Sequence, residues 1–254
     1  MTFIDVHAHL DFPQIIEQKD EMEQKMKENN IKALSNTLNF QNYLETKELY
    51  KNSTQIQVLP GLYPTDAVHI EEKDFQNYLQ YLRDHQDDFI AIGEVGLDAK
   101  EITDEDELLV QEERFKQMIE LAIELDKALL IHTRKKELRV IEIIEEYVEK
   151  TGFKKFNLHC FCGKKKLFSK IKELGIYCSI PLTILNTESF TFLVEELSIS
   201  QLLVETDSPF LHPEKKMNIP LEIPRIYERI AEIKGYDTTE IENIIYKNYM
   251  KFIY

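Results

Sequence analysis

Histidines and acids close five short apolar runs of this chain: His7, Glu94, His132, His159 and Asp207 each stand at a run's last residue or just past it. Imidazole nitrogens and carboxylate oxygens are the donors that divalent transition metals accept. His9 follows His7 by two residues, and along an extended chain such residues share a side. Two imidazoles so placed can grip one ion. Asp5, of the same parity, is expected to orient one of them from behind. Glu94 sits between Gly93 and Gly96, which permit close approach, and a carboxylate there can bridge two cations. Glu205 and Asp207 also share parity, and two carboxylates buried together need cations or donors to compensate them. Each feature alone has an ordinary reading. His-x-His can be a satisfied polar pair, Glu94 or Asp98 a helix cap, a histidine after an apolar run a core residue, and Thr206-Asp207 a turn before Pro209. Five of them at five such ends point to a metal centre. Cys160 and Cys162 lack a second cysteine pair to complete a structural zinc site. His69 and His85 fall elsewhere and read as surface residues.

The runs that must position these groups are Phe3–His7, Ile31–Ser35, Ile56–Pro60, Phe89–Glu94, Ala128–His132, Lys155–His159, Gly175–Ile180 and Gln201–Glu205. Between them lie charged stretches of helical period. In Glu112–Leu125 the apolar positions are Phe115, Met118, Ile119, Ala122 and Ile123, and Leu138–Val148 and Ile223–Ile233 read similarly. Eight strand–helix alternations in 254 residues predict one domain, residues 1–254, folded as an α/β (β/α)8 TIM barrel, with Thr239–Phe252 completing the outer ring. In such a barrel the strand ends meet on one face. An open doubly wound sheet is the alternative, weakened because no glycine-rich phosphate loop follows the first run. The acidic stretch Ala99–Leu108 reads as a solvated loop or helix start.

Composition narrows the class. Apolar residues make up 43% and charged residues 30%, a globular balance. With 31 basic and 46 acidic side chains the net charge is −15, which excludes a generic basic nucleic-acid coat or membrane-surface protein. No run approaches the roughly 20 apolar residues of a membrane span, and the first residues lack the form of a signal peptide. Three cysteines cannot close a disulfide framework. The expectation is a cytoplasmic protein with reduced thiols, no membrane association and no obligate protein partner.

Five segments carry a family resemblance: Phe3-Ile4-Asp5-Val6-His7-Ala8-His9-Leu10-Asp11, Ala91–Asp98, Ile131-His132-Thr133-Arg134, Leu158-His159-Cys160-Phe161-Cys162-Gly163 and Leu203–Phe210. In order, spacing and strand position they resemble the signature segments of the TatD family of metal-dependent nucleases, which belongs to the amidohydrolase-type barrels. The resemblance implies His7, His9 and Asp207 as ligands of one ion, His132 and His159 as ligands of a second, and Glu94 as the bridge. It also implies hydrolysis of DNA phosphodiesters, often from a 3′ end. The chain departs from the family in places. Tyr63 and Thr65 replace the two histidines of a Gly-x-His-Pro-His segment, Ala99 replaces an aromatic, and Cys162 replaces a serine. None is a proposed ligand, so they bear on substrate preference.

Two divalent ions (Zn, Mn or Mg) about 4 Å apart would activate a water and neutralise a phosphate. Asp207 is expected to take the water's proton, and Glu94 to hold the spacing. Basic residues follow three ligand-bearing runs: Arg134, Lys135, Lys136 and Arg139, then Lys164–Lys166, then Lys215 and Lys216. Cations are disfavoured at helix starts, so their placement suggests an anionic substrate, with Arg134, Lys164 and Glu205 the candidate contacts to single-stranded DNA. The bland reading is solvated surface lysines. Two other functions fit the same donors: an ester or amide hydrolase such as a D-aminoacyl-tRNA deacylase, and a non-catalytic binder.

Overall fold

The computed structural model describes residues 2–254. All eight expected strands form: β1 (Phe3–Ala8), β2 (Ile31–Asn36), β3 (Ile56–Leu59), β4 (Ala91–Asp98), β5 (Ala128–Arg134), β6 (Phe156–His159), β7 (Tyr177–Ile180) and β8 (Leu202–Val204). They pair in parallel as β1-β2-β3 and β4-β5-β6-β7-β8. Hydrogen bonds carry the array across the two remaining seams. Gly93 N–H donates to Pro60 O at 2.8 Å and Leu62 N–H to Glu94 O at 2.9 Å, joining β3 to β4. Asp207 N–H donates to His7 O at 2.9 Å and His9 N–H to Ser208 O at 2.7 Å, joining the segment after β8 to β1. The result is the expected (β/α)8 barrel.

Two apolar layers follow from strand alternation. The larger core lies between the sheet and its helices, where Ile92, Leu129, Ile131, Leu158 and Val204 meet residues such as Phe115, Ile119, Ile144 and Ile226. The smaller one fills the barrel interior with Ile4, Val6, Leu34, Leu59, Ala91, Leu130 and Leu203. Each fully buried Leu or Ile contributes roughly 1.5–3 kcal/mol. Helix Thr238–Ile253 takes its expected place in the outer ring over its first half, where Ile241 and Ile245 join the larger core, and turns inward at its C-terminal end. It sends Tyr249, Phe252 and Ile253 into the interior cluster, and Asn248 donates to the carbonyls of Ile199 and Leu202 before and at the start of β8. It therefore plugs the end of the barrel opposite the ligand-bearing strand ends. The acidic stretch after β4 turns into helix Glu105–Glu124, where Asp104 accepts from the N–H groups of Asp106 and Glu107 as an N-cap.

Candidate metal centre

Two irregular strands aim the key donors. Ile4 and Val6 face the barrel interior, so plain alternation would leave His7 outside. The β1–β2 register shifts between Asp5 and Ala8, and this bulge turns His7 inward. Asp5 therefore does not share the side of His7, and the expectation that it orients an imidazole is corrected. Its carboxylate accepts from Thr206 N–H at 2.9 Å and Thr206 Oγ1 at 2.6 Å, fastening β1 to the Asp207 segment. Burial pushes the Asp5 carboxyl up to about 7 despite those bonds. In β4 the register shifts between Ile92 and Val95, and Glu94 is turned inward in the same way. The flanking glycines are sterically required. A Cβ on Gly93 would stand 2.7 Å from Leu130 Cβ, and one on Gly96, at φ +150°, would stand 2.0 Å from the His132 carbonyl oxygen.

His7, His9, Glu94, His132, His159 and Asp207 converge at the mouth of the barrel. Glu94, 2% exposed, stands at the centre. Its Oε1 lies 2.7 Å from His132 Nδ1 and 3.0 Å from His159 Nε2. Its Oε2 lies 3.4 Å from His9 Nε2 and 3.7 Å from His7 Nε2. One carboxylate thus faces two imidazole pairs, one with each oxygen. Asp207 Oδ1 is 3.6 Å from Nε2 of both His7 and His9, which are themselves 3.3 Å apart.

These spacings fit a metal. Two donors bound at 2.0–2.1 Å to a tetrahedral ion stand about 3.4 Å apart. The separations among His7, His9, Asp207 and Glu94 Oε2 given above cluster around that edge length. Two ligand-atom triads, His7–His9–Asp207 and His7–Glu94–His159, lie within 4.8 Å internally. The outer ring nitrogens are also prepared. His9 Nδ1 donates to Asn36 O at 3.0 Å, and His132 Nε2 to Asp98 Oδ2 at 3.1 Å, leaving each inner nitrogen's lone pair toward the centre. His159 Nδ1 stands 3.5 Å from Glu205 Oε1.

The charges are strongly coupled. Burial raises the Glu94 carboxyl, but His159, His7 and His132 outweigh it and hold it well below the usual range. Burial lowers His159, but Glu94 and Glu205 outweigh it and raise the imidazole well above its ordinary value. Burial, assisted by Glu205 and Glu94, raises Asp207 well above the usual carboxylate range. A divalent ion held by these donors would reverse this balance, favouring neutral imidazoles and ionised carboxylates together.

The centre opens into a cavity of about 610 Å³. Arg134 and Thr133 form one wall, Phe12, Phe210 and Leu211 line it as well, and Tyr63, Cys160 and Cys162 complete much of the rest. Arg134 stands where a substrate can reach it, 3.4 Å from Glu101. Glu205 does not. It is fully buried, accepts from Cys160 N–H at 2.8 Å and from the Ser179 hydroxyl, and lies beneath His159. It is corrected from a substrate contact to a support for the site. Lys164 is exposed but lies outside the cavity, in a neighbouring depression. Lys216 faces Glu214 and Glu222.

Three contributions go beyond the roles that the sequence assigns. Asp98 serves both as a turn acceptor for the N–H groups of Lys100 and Glu101 and as the partner of His132. Burial raises its carboxyl, but these bonds outweigh it and hold it at about 2. Its place at the end of β4 was the available signal. Tyr63, at a departed histidine position, packs its ring 5.0 Å from His132, while Thr65 lies outside the cavity. Phe12 and Phe210 pack edge to face at 5.1 Å, and Phe210 remains 45% exposed.

A family model described as TatD related DNase matches residues 4–253. An uncharacterized metal-dependent hydrolase of Methanocaldococcus jannaschii is 29% identical over 99% of this chain and 97% of its own. The human protein named deoxyribonuclease TATDN3 is 28% identical over 98% of this chain and 93% of its own. The crystal structure of the TatD homologue YJJV from Escherichia coli superposes with a TM-score of 0.86 at 20% identity, covering 99% of this chain and 97% of that one, a likeness of fold. The chain belongs to the TatD family of metal-dependent hydrolases.

Proposed function

We propose that this protein is a deoxyribonuclease that hydrolyses phosphodiester bonds of single-stranded DNA from a 3′ end, using two divalent ions, Zn, Mn or Mg. The observation that carries the reading is the Glu94 carboxylate set between the His7–His9 and His132–His159 pairs. His7, His9 and Asp207 would hold one ion, His132 and His159 the other, with Glu94 shared. Such ions, when bound, supply Lewis acidity toward phosphoryl oxygens and lower the pKa of water. Asp207, at the cavity surface, takes the proton of the attacking water. The guanidinium of Arg134 neutralises the phosphate at the cavity wall. Phe12 and Phe210 offer aromatic edges and faces to unpaired bases, which supports a single-stranded substrate. The 3′ polarity rests on the family resemblance.

The test uses metal-loaded protein, a 5′-labelled single-stranded oligonucleotide and, in parallel, a D-aminoacyl-tRNA. The expected result is a ladder shortening from the 3′ end, with Asp207→Asn slower by about 100-fold or more. Deacylation without DNA cleavage would replace this reading by the ester-hydrolase one. An Asp207→Asn enzyme as fast as the parent would remove Asp207 from its role.

A further inference from the structure

Beside the metal-facing cavity lies a second depression of about 450 Å³, lined by Lys135, Lys136, Lys164 and Lys166 together with Arg139 and Glu137. Glu137 lines both cavities, so the two share a wall. Arg139 is already neutralised, 2.6 Å from Glu112 and 3.5 Å from Glu142. The four lysines form no ion pair among the described residues, although the chain carries 46 acids against 31 bases. Two helix starts adjoin them, one with Glu137 in its first turn and one with no acid there. Lys136 immediately precedes helix Glu137–Thr151, and Lys165 immediately precedes helix Lys166–Leu174, with neither start capped by a side chain. Helix starts carry partial positive charge, so ammonium groups there are disfavoured unless an anion joins them.

We propose that this depression holds backbone phosphates of the DNA strand being cut, beyond the scissile bond; this rests on the phosphodiesterase reading above. Lys135 and Lys136 follow Arg134 directly, within roughly 8 Å along the main chain, so a strand leaving the cavity past Arg134 meets them next. Flexible ammonium groups bind phosphate as point charges, independent of base sequence. The depression therefore sets affinity for long strands and leaves the chemistry alone.

The experiment compares the parent with K135Q/K136Q/K164Q/K166Q and with K32Q/K154Q/K247Q/K251Q, which removes the same charge from surface positions away from both cavities. Two readouts are used: KM and kcat of the metal-loaded proteins on a thymidine dinucleotide and a 20-nucleotide single strand, and anisotropy of the labelled 20-mer with chelated protein across salt concentrations. The depression variant should raise KM for the 20-mer by about tenfold or more and flatten the salt slope by roughly 0.7 for each phosphate that the lysines no longer neutralise. Dinucleotide kinetics and the control variant should match the parent. A 20-mer KM and salt slope equal to the parent's, with the dinucleotide still cleaved, would overturn this inference alone. A parent that cleaves neither substrate would overturn the phosphodiesterase reading, and this inference with it.

Discussion

Each imidazole at the centre has two nitrogens with different tasks. The inner one faces the cluster, and the outer one determines whether its lone pair is available there. For His132 that second task falls to Asp98, whose other oxygen is tied to the N–H groups of Lys100 and Glu101. Asp98 thus links the orientation of a donor to the turn that ends β4. Asp98→Asn keeps the size but removes the charge and weakens the preference for a proton on His132 Nε2. Zinc affinity, measured by competition with a chromophoric chelator, should fall by about 10–100-fold while His9, held by a backbone carbonyl, keeps its place. A change under twofold would show that Asp98 serves only the turn.

At the level of elements, the centre depends on β-strands that break their own alternation. Gly96 makes the β4 irregularity possible, since its backbone lies against the His132 carbonyl where no side chain fits. Gly96→Ala should cost about 2 kcal/mol or more in urea unfolding and reduce bound metal, because it forces apart the two strands that carry Glu94 and His132. An alanine variant with parental stability and metal content would refute this. The strands themselves were legible because short β-branched runs contrast with long charged helical stretches, and the donors were legible because they ended those runs. The bulges were not. A bulge changes which residue points inward without changing composition, so strict alternation places Asp5 with His7; the burial of Glu205 beneath His159 is a matter of tertiary packing instead. The inward turn at the end of the terminal helix is hidden in the sequence for a similar reason. Its amphipathic period shows that one face is buried, and only tertiary packing shows that Tyr249, Phe252 and Ile253 enter the barrel.

Across the whole molecule the donors come from β1, β4, β5, β6 and the segment after β8, so ions held by them would tie the first sheet to the second and close the seam between β8 and β1. Protein loaded with zinc at about 100 times the dissociation constant should gain about 2.7 kcal/mol over chelated protein. That corresponds to a melting temperature higher by about 5–10 °C in a scanning measurement. Identical melting with and without zinc would mean that the donors do not converge on a common ion. On the proposed function, the lysines without ion-pair partners beside the cavity would reconcile an overall charge of −15 with local attraction of a DNA strand.

The clasp between Asp5 and Thr206 spans 201 positions and sits directly under His7 and Asp207. A growing chain therefore cannot complete its donor set until Asp207 has left the ribosome. Hydrolytic competence arrives only once this clasp closes, and a product cut short of Thr206 carries the histidines without the means to use them.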